Sequence, residues 1–207
     1  MEEQLTKYEQ KKLRKQEKEE RRAKAKQRSS LSKWLVYLLL GALTVGVVVL
    51  VVLSRPKTPT TPDYSVSVPN EGAAHVDQGT QVSYNSNPPT SGNHWPTPLK
   101  EGLYDEEKPD EAIIHSLEHG RVWVSYNPRV SQDVVEQLKN VLKNQPLAIL
   151  TPRSANASDI ALAAWDRLDT FDVGDALDTQ RIIDFVSRYK NTGPERVPAG
   201  SPGASSY

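Results

Sequence analysis

Apolar residues fall along this chain in two regimes, and each predicts a different kind of element. Residues 34–53 are 20 consecutive positions without a charge. As a helix they rise about 30 Å, the thickness of the hydrocarbon core of a bilayer. The run predicts a transmembrane helix, with Trp34 and Tyr37 where interfacial aromatics belong. Beyond it, short apolar runs alternate with helical periods. Residues 66–68, 81–84, 121–126, 147–150 and 160–165 read as strands, and 112–119 as a short helix stopped by Gly120. Ser131 caps a helix with Val134, Val135, Leu138, Val141 and Leu142 at helical spacing. Asp178 or Thr179 opens a last helix with Ile182, Ile183, Phe185, Val186 and Tyr189 on its inner face, ending near Gly193-Pro194. The expected fold class is α+β: a small mixed sheet covered by two or three helices, preceded by one transmembrane helix.

Charge divides the chain in the same way. Residues 1–33 carry 12 Lys and Arg against 6 Asp and Glu, whereas residues 54–207 carry 14 against 20. Arg21, Arg22, Lys24, Lys26, Arg28 and Lys33 precede the apolar run, and only Arg55 and Lys57 follow it closely. That bias places the N-terminus in the cytoplasm and the C-terminal domain outside the cell membrane. A cleaved signal peptide fits poorly, because the leading charged segment is long and Val52-Leu53-Ser54-Arg55 offers no small-x-small site. The expected organisation is a charged cytoplasmic segment (1–33), a transmembrane helix (34–53), a linker stiffened by Pro56, Pro59 and Pro62 (54–63), an extracytoplasmic domain (64–196) and a disordered tail (197–207). Residues 8–28 have strong helix propensity and no heptad seam, so they read as a solvated helix whose basic residues have anionic lipid as their alternative partner.

The chain has no cysteine, which excludes disulfides, thiol chemistry and thiolate metal sites. A metal site must use histidine and oxygen ligands. No phosphate-cradling glycine loop, dinucleotide fingerprint or basic face outside the membrane is present, so neither nucleotide nor nucleic acid is an expected partner. The expected partners are the membrane, through a single span, and an envelope protein.

Candidate chemistry gathers at the histidines. All four, His75, His94, His115 and His119, fall within 45 residues. His94 lies in Pro88-Pro89-Thr90-Ser91-Gly92-Asn93-His94-Trp95-Pro96, where prolines stiffen both flanks. His115 and His119 are four apart, so a helix sets both on one face, opposite Ile113, Ile114 and Leu117. A second wall carrying His94 would complete a three-histidine site. Such a set suits a divalent transition metal, Zn or Cu, with Glu118 as fourth ligand or outer carboxylate. His75 has no supporting pattern and reads as a loop residue. The competing reading is structural: a helix C-terminus favours protonated histidine, and a loop imidazole often only bonds turn carbonyls.

Other motifs weaken on context. His115-x-x-Glu118-His119 is the inverted zinc-peptidase string, with Glu195 beyond it as a third ligand, but Gly120 stops the helix and a strand follows. Ser91, Ser116 and Ser125 lie in no nucleophile elbow. Asp166, Asp169, Asp172, Asp175 and Asp178 lack the alternating ligands and closing glutamate of a calcium loop, and read as a solvated acidic loop with helix caps.

Tyr84, Pro88-Pro89-Thr90-Ser91-Gly92-x-His94, Gly102-x-Tyr104, His115-x-Leu117-Glu118-His119-Gly120 and Trp165 together resemble the bacterial family called domain of unknown function 3105. The resemblance covers residues 84–195. It implies a membrane-anchored or exported protein and supplies no reaction. The reading is thus a single-pass, extracytoplasmic domain with a histidine-centred metal site at His94, His115, His119 and Glu118. Two alternatives stand beside it. One is a non-catalytic envelope interaction module docking through Trp95, Tyr104 and Trp123, with Trp123 and Trp165 favoured as core; the other is a metal-dependent hydrolase or oxidase. The residues alone do not decide between an enzyme and a binding module.

Overall fold

The computed structural model describes residues 7–53 and 58–198, in two compact units that divide after Pro56. Parts of the expected linker (54–57) and nearly all of the expected tail (199–207) lie outside the described residues. The first unit is one helix, α1 (Lys7–Leu53), so the expected solvated helix and the apolar run are continuous. Its described large apolar side chains are uncovered, from 46 % exposed at Leu13 to 70 % at Leu39. Among the described residues no helix is long and apolar enough to cross a membrane, so the expected transmembrane helix is not shown.

The second unit is a six-stranded mixed sheet covered on both faces. In chain order it contains β1 (Val66–Ser67), β2 (Gly102–Leu103), α2 (Asp110–Glu118), β3 (Val122–Tyr126), α3 (Gln132–Leu142), β4 (Ala148–Pro152), β5 (Ile160–Ala164), β6 (Arg167–Phe171) and α4 (Thr179–Tyr189). The strand order is β1-β6-β5-β3-β4-β2. β4 runs parallel to both β2 and β3, and β3, β5, β6 and β1 pair antiparallel. This realises the expected α+β sheet under helices.

Strand alternation separates two apolar layers. Val122, Val124, Tyr126, Ala148, Leu150, Ile160 and Leu162 face α3 and α4, joined by Val135, Leu138, Ile182 and Phe185. Trp123, Ile149 and Ala163 face the other way, against Ile113 and Leu117 of α2. The register pairs like with like, Trp123 opposite both Ile149 and Ala163. Ser131 and Asp178 cap α3 and α4, their side chains accepting from the backbone N–H groups of Val134 and Arg181.

Several expectations need correction. Residues 81–84 form no strand: the Val82 N–H donates to the Glu111 carboxylate (3.0 Å) instead of to a neighbouring strand. β6 was hidden in the acidic stretch because Asp169 breaks its apolar pattern. That residue is not solvated; it is 4 % exposed and paired with Arg181, whose Nε donates to Oδ2 at 2.9 Å. Residues 60–63 are not free linker. The N–H groups of Thr60 and Thr61 donate to Asp184 Oδ2 at 2.7 and 2.6 Å, and Arg188 donates to the Pro62 carbonyl at 3.2 Å. Trp123 is fully buried, its Nε1–H donating to Thr151 Oγ1 at 2.9 Å, so it is unavailable to a docking surface with Trp95 and Tyr104.

Asp184 anchors the entry of the domain. Burial alone would raise its carboxyl, but the Thr61 and Thr60 N–H groups and the Gln180 side chain outweigh this and hold it far below the usual carboxylate range. Asp184→Ala should cost about 1–3 kcal/mol at pH 7, the range for losing hydrogen bonds to a charged group. Since the folded value is depressed, the contribution is complete above the unfolded value near pH 4 and fades as pH falls below it. Denaturant titrations of parent and variant at pH 7 and pH 3 check this: the gap should shrink at pH 3, and an equal gap at both would contradict the carboxylate's role.

Candidate metal centre

α2 places the centre, because it is buried around its whole circumference. Residues 111–118 are all buried. Ile113 and Leu117 meet the sheet, and the opposite, polar face is covered by the loop of residues 72–99. Buried polar groups need partners, and this loop supplies them as carbonyl oxygens. Ser116 Oγ donates to the Leu99 carbonyl (2.6 Å), and His115 Nδ1 lies 2.7 Å from the Trp95 carbonyl. A carbonyl only accepts, so His115 carries its proton on Nδ1 and presents a lone pair at Nε2.

The same logic fixes His94. It is completely buried, with Nδ1 2.9 Å from the Gly92 carbonyl, so its Nε2 also presents a lone pair. That atom lies 3.1 Å from Glu118 Oε2, yet it has no hydrogen-bond partner. Histidine ligands of metals are held in this way, one ring nitrogen donating to a carbonyl and the other free for the ion.

His75 is brought in by backbone pairing, which its local sequence does not announce. The N–H groups of Gly92, His94 and Val76 donate to the carbonyls of Gly72, Ala74 and His94 at 2.9, 3.0 and 2.8 Å. His75 and His94 are therefore bridge partners. Their ring centroids stand 5.0 Å apart, those of His75 and His115 4.9 Å, and those of His94 and His115 4.8 Å. His75, His94, His115 and Glu118 offer ligand atoms all within 4.8 Å of one another. The expected set was His94, His115 and His119 with Glu118; the structure puts His75, set aside as a loop residue, in the place of His119.

His119 belongs to an adjoining group with Glu118 and Glu195, again within 4.8 Å. Its Nε2 lies 3.2 Å from His115 Nε2 and 3.3 Å from Glu195 Oε2. Glu195, dismissed together with the peptidase motif, arrives on a strap that doubles back onto the end of α2. The Asn191 and Glu195 N–H groups donate to the carbonyls of Gly120 (2.7 Å) and Glu118 (3.0 Å). Two glycines allow this approach. A Cβ on Gly193 would lie 2.2 Å from the Glu118 carbonyl oxygen, and one on Gly120, whose φ is +80°, 2.7 Å from Asn191 Cα. Buried Arg121 ties the strap further, donating to the carbonyls of His119 (2.9 Å) and Val197 (2.6 Å).

Burial keeps the imidazoles of the cluster uncharged. Burial first, opposed by the bond to the Trp95 carbonyl, brings His115 down to about 4. Burial likewise lowers His94 and His119. Burial and then the Glu195 carboxylate push Glu118 up to about 7. The His94–Glu118 contact is thus no ion pair. At neutral pH the imidazoles keep their lone pairs, the form that binds a cation. Beside them opens a cavity of about 490 Å³ lined by His75, Pro96, Pro98, His115, His119, Glu195 and Val197.

A family model described as Protein of unknown function (DUF3105) matches residues 75–201. The chain belongs to the DUF3105 family. In this DUF3105 chain the matched region starts at His75 and contains all six clustered side chains. No curated protein and no solved structure matches it significantly.

Close packing at Gly193 generates a prediction. Gly193→Ala should destabilise the DUF3105 domain by about 1–3 kcal/mol, the range for forcing extra atoms into a packed site. Gly174→Ala, with open space around its Cβ, should change stability by less than about 0.5 kcal/mol. Chemical denaturation of both variants checks the contrast, and equal effects would show that the strap does not press on α2.

Proposed function

We propose that this DUF3105 protein is a membrane-anchored, extracytoplasmic domain that binds a divalent transition metal, Zn or Cu, through His75, His94, His115 and Glu118. The observation that carries the metal reading is the gathering of His94 and His115, each with Nδ1 turned to a carbonyl, with His75 and Glu118 so that the ligand atoms all lie within 4.8 Å of one another, His94 Nε2 only 3.1 Å from the Glu118 carboxylate. Three imidazoles and a carboxylate form a ligand set for such ions. The domain has its own two apolar layers, so the metal is not needed as a folding staple. An ion at this position also borders the cavity through His75 and His115. Structural metals are closed off, whereas reactive or exchangeable ones keep an open position. That accessibility favours metal exchange or metal-dependent chemistry over a purely structural ion. Support for the anchor comes from the 20 uncharged residues at 34–53 and the basic excess before them.

Metal analysis by mass spectrometry of the full chain, purified in detergent, stripped and reloaded with Zn(II) or Cu(II), tests the centre. Retention should be stoichiometric, and a His94→Ala, His115→Ala double variant should bind at least about 100-fold more weakly, since losing even a partner that only orients a ligand costs about 10–100-fold. A parent chain that keeps its circular dichroism yet retains no ion would sink the proposal.

Alkaline carbonate extraction tests the anchor separately. The full chain should stay with the membrane pellet, and a chain lacking residues 34–53 should be released. Release of the full chain would contradict anchoring.

A further inference from the structure

We infer that the centre is binuclear, with the Glu118 carboxylate bridging a cation held by His75, His94 and His115 and a second held by His119 and Glu195. This rests on the metal reading above and extends it to the second group. The six donors divide into two sets that share only Glu118. They are more than one zinc ion takes, since zinc with imidazole and carboxylate ligands is usually four-coordinate. A carboxylate has two oxygens, and carboxylate-rich sites with cations about 3.5–4 Å apart are a recurrent arrangement.

The contacts of His119 give the second position its own support. Its Nε2 faces two acceptors, His115 Nε2 at 3.2 Å and Glu195 Oε2 at 3.3 Å. His115 Nε2 has no proton to give, because its proton sits on Nδ1 against the Trp95 carbonyl. One proton on His119 Nε2 serves only one of the two acceptors, whereas a cation takes lone pairs from His119 and Glu195 together. Glu195 is also placed by backbone: its own N–H donates to the Glu118 carbonyl, and Gly193 closes the strap onto α2. Arg121, whose charge acts on His119, is engaged elsewhere, with Glu101 at 3.3 Å and the carbonyls of His119 and Val197. Both positions border the same cavity, His75 and His115 from one and His119 and Glu195 from the other.

The test uses the full chain in detergent, stripped and titrated with Co(II), read by metal analysis and electron paramagnetic resonance. The proposal expects two Co(II) per chain, magnetically coupled. Glu195→Ala should lower this to one uncoupled ion, and Glu118→Gln should abolish the coupling, because a neutral amide does not bridge. The Glu195 side chain is 62 % exposed, so its removal should leave the fold intact; Glu195→Gln, compared by circular dichroism, guards against a folding defect. One ion per chain, unaffected by Glu195→Ala, would overturn the binuclear centre and leave the mononuclear reading standing. Two uncoupled ions insensitive to Glu195→Ala would overturn it as well, by placing the second ion elsewhere. Binding of no ion would overturn both readings.

Discussion

The full burial of α2 is the constraint from which the rest follows. Half of this nine-residue helix is apolar and packs on Trp123, Ile149 and Ala163, which any helix on a sheet would do. The other half carries His115, Ser116 and Glu118, with His119 at its C-cap, all under 7 % exposed. Burying such groups without partners costs several kcal/mol in total, at roughly 1–3 kcal/mol for each unsatisfied group. The loop of residues 72–99 offsets part of that cost with carbonyl partners for His115 and Ser116, and the strap of residues 191–195 donates to the backbone carbonyls of Gly120 and Glu118, while His94 Nε2 and His119 Nδ1 have no hydrogen-bond partner. In doing so they bring His75, His94 and Glu195 against the helix. The candidate centre is thus where the polar face of one short helix finds its hydrogen bonds.

How much of this was legible depended on whether the signal was local. α3 and α4 announced themselves through apolar spacing and the caps Ser131 and Asp178. β3, β4 and β5 matched their expected positions within a residue or two. β6 did not, because Asp169 interrupts it, and nothing local reveals that Arg181, 12 residues on, neutralises that aspartate. β2 is two residues long and carries no periodicity. Residues 81–84 alternate like a strand, but Glu111 takes the Val82 N–H.

The site divides along the same line. His94, His115 and Glu118 were readable because a helix repeats every 3.6 residues and a proline-rich loop holds its shape. His75 was not, since its place comes from a backbone pairing across some 20 residues. The usable clue was numerical: all four histidines fall within 45 positions of a 207-residue chain. Glu195 was noticed for its distance from His119 and set aside because Gly120 ends the helix. That same glycine is what admits the strap carrying Glu195, through the contact of its backbone with Asn191. The residue that argued against a peptidase fold is the one that brings the carboxylate in.

The protonation pattern bears on what kind of centre this is. A structural histidine cluster lowers its energy by exchanging protons internally, each imidazole donating to the next. Here two of the donors, His94 Nδ1 and His115 Nδ1, point outward to carbonyls, so the inward atoms are left as lone pairs, His94 Nε2 facing Glu118 and His115 Nε2 facing His119. Glu118 adds further lone pairs, and its carboxyl is pushed up toward neutrality by burial and Glu195. Such a group of acceptors is unfavourable when empty, because acceptors within about 3 Å of each other repel unless a proton or cation lies between them. A fold that turns these ring protons outward leaves the inward positions to a shared proton, from the raised Glu118 carboxyl toward His94 or from His119 Nε2 toward His115, or to cations in the proton's place.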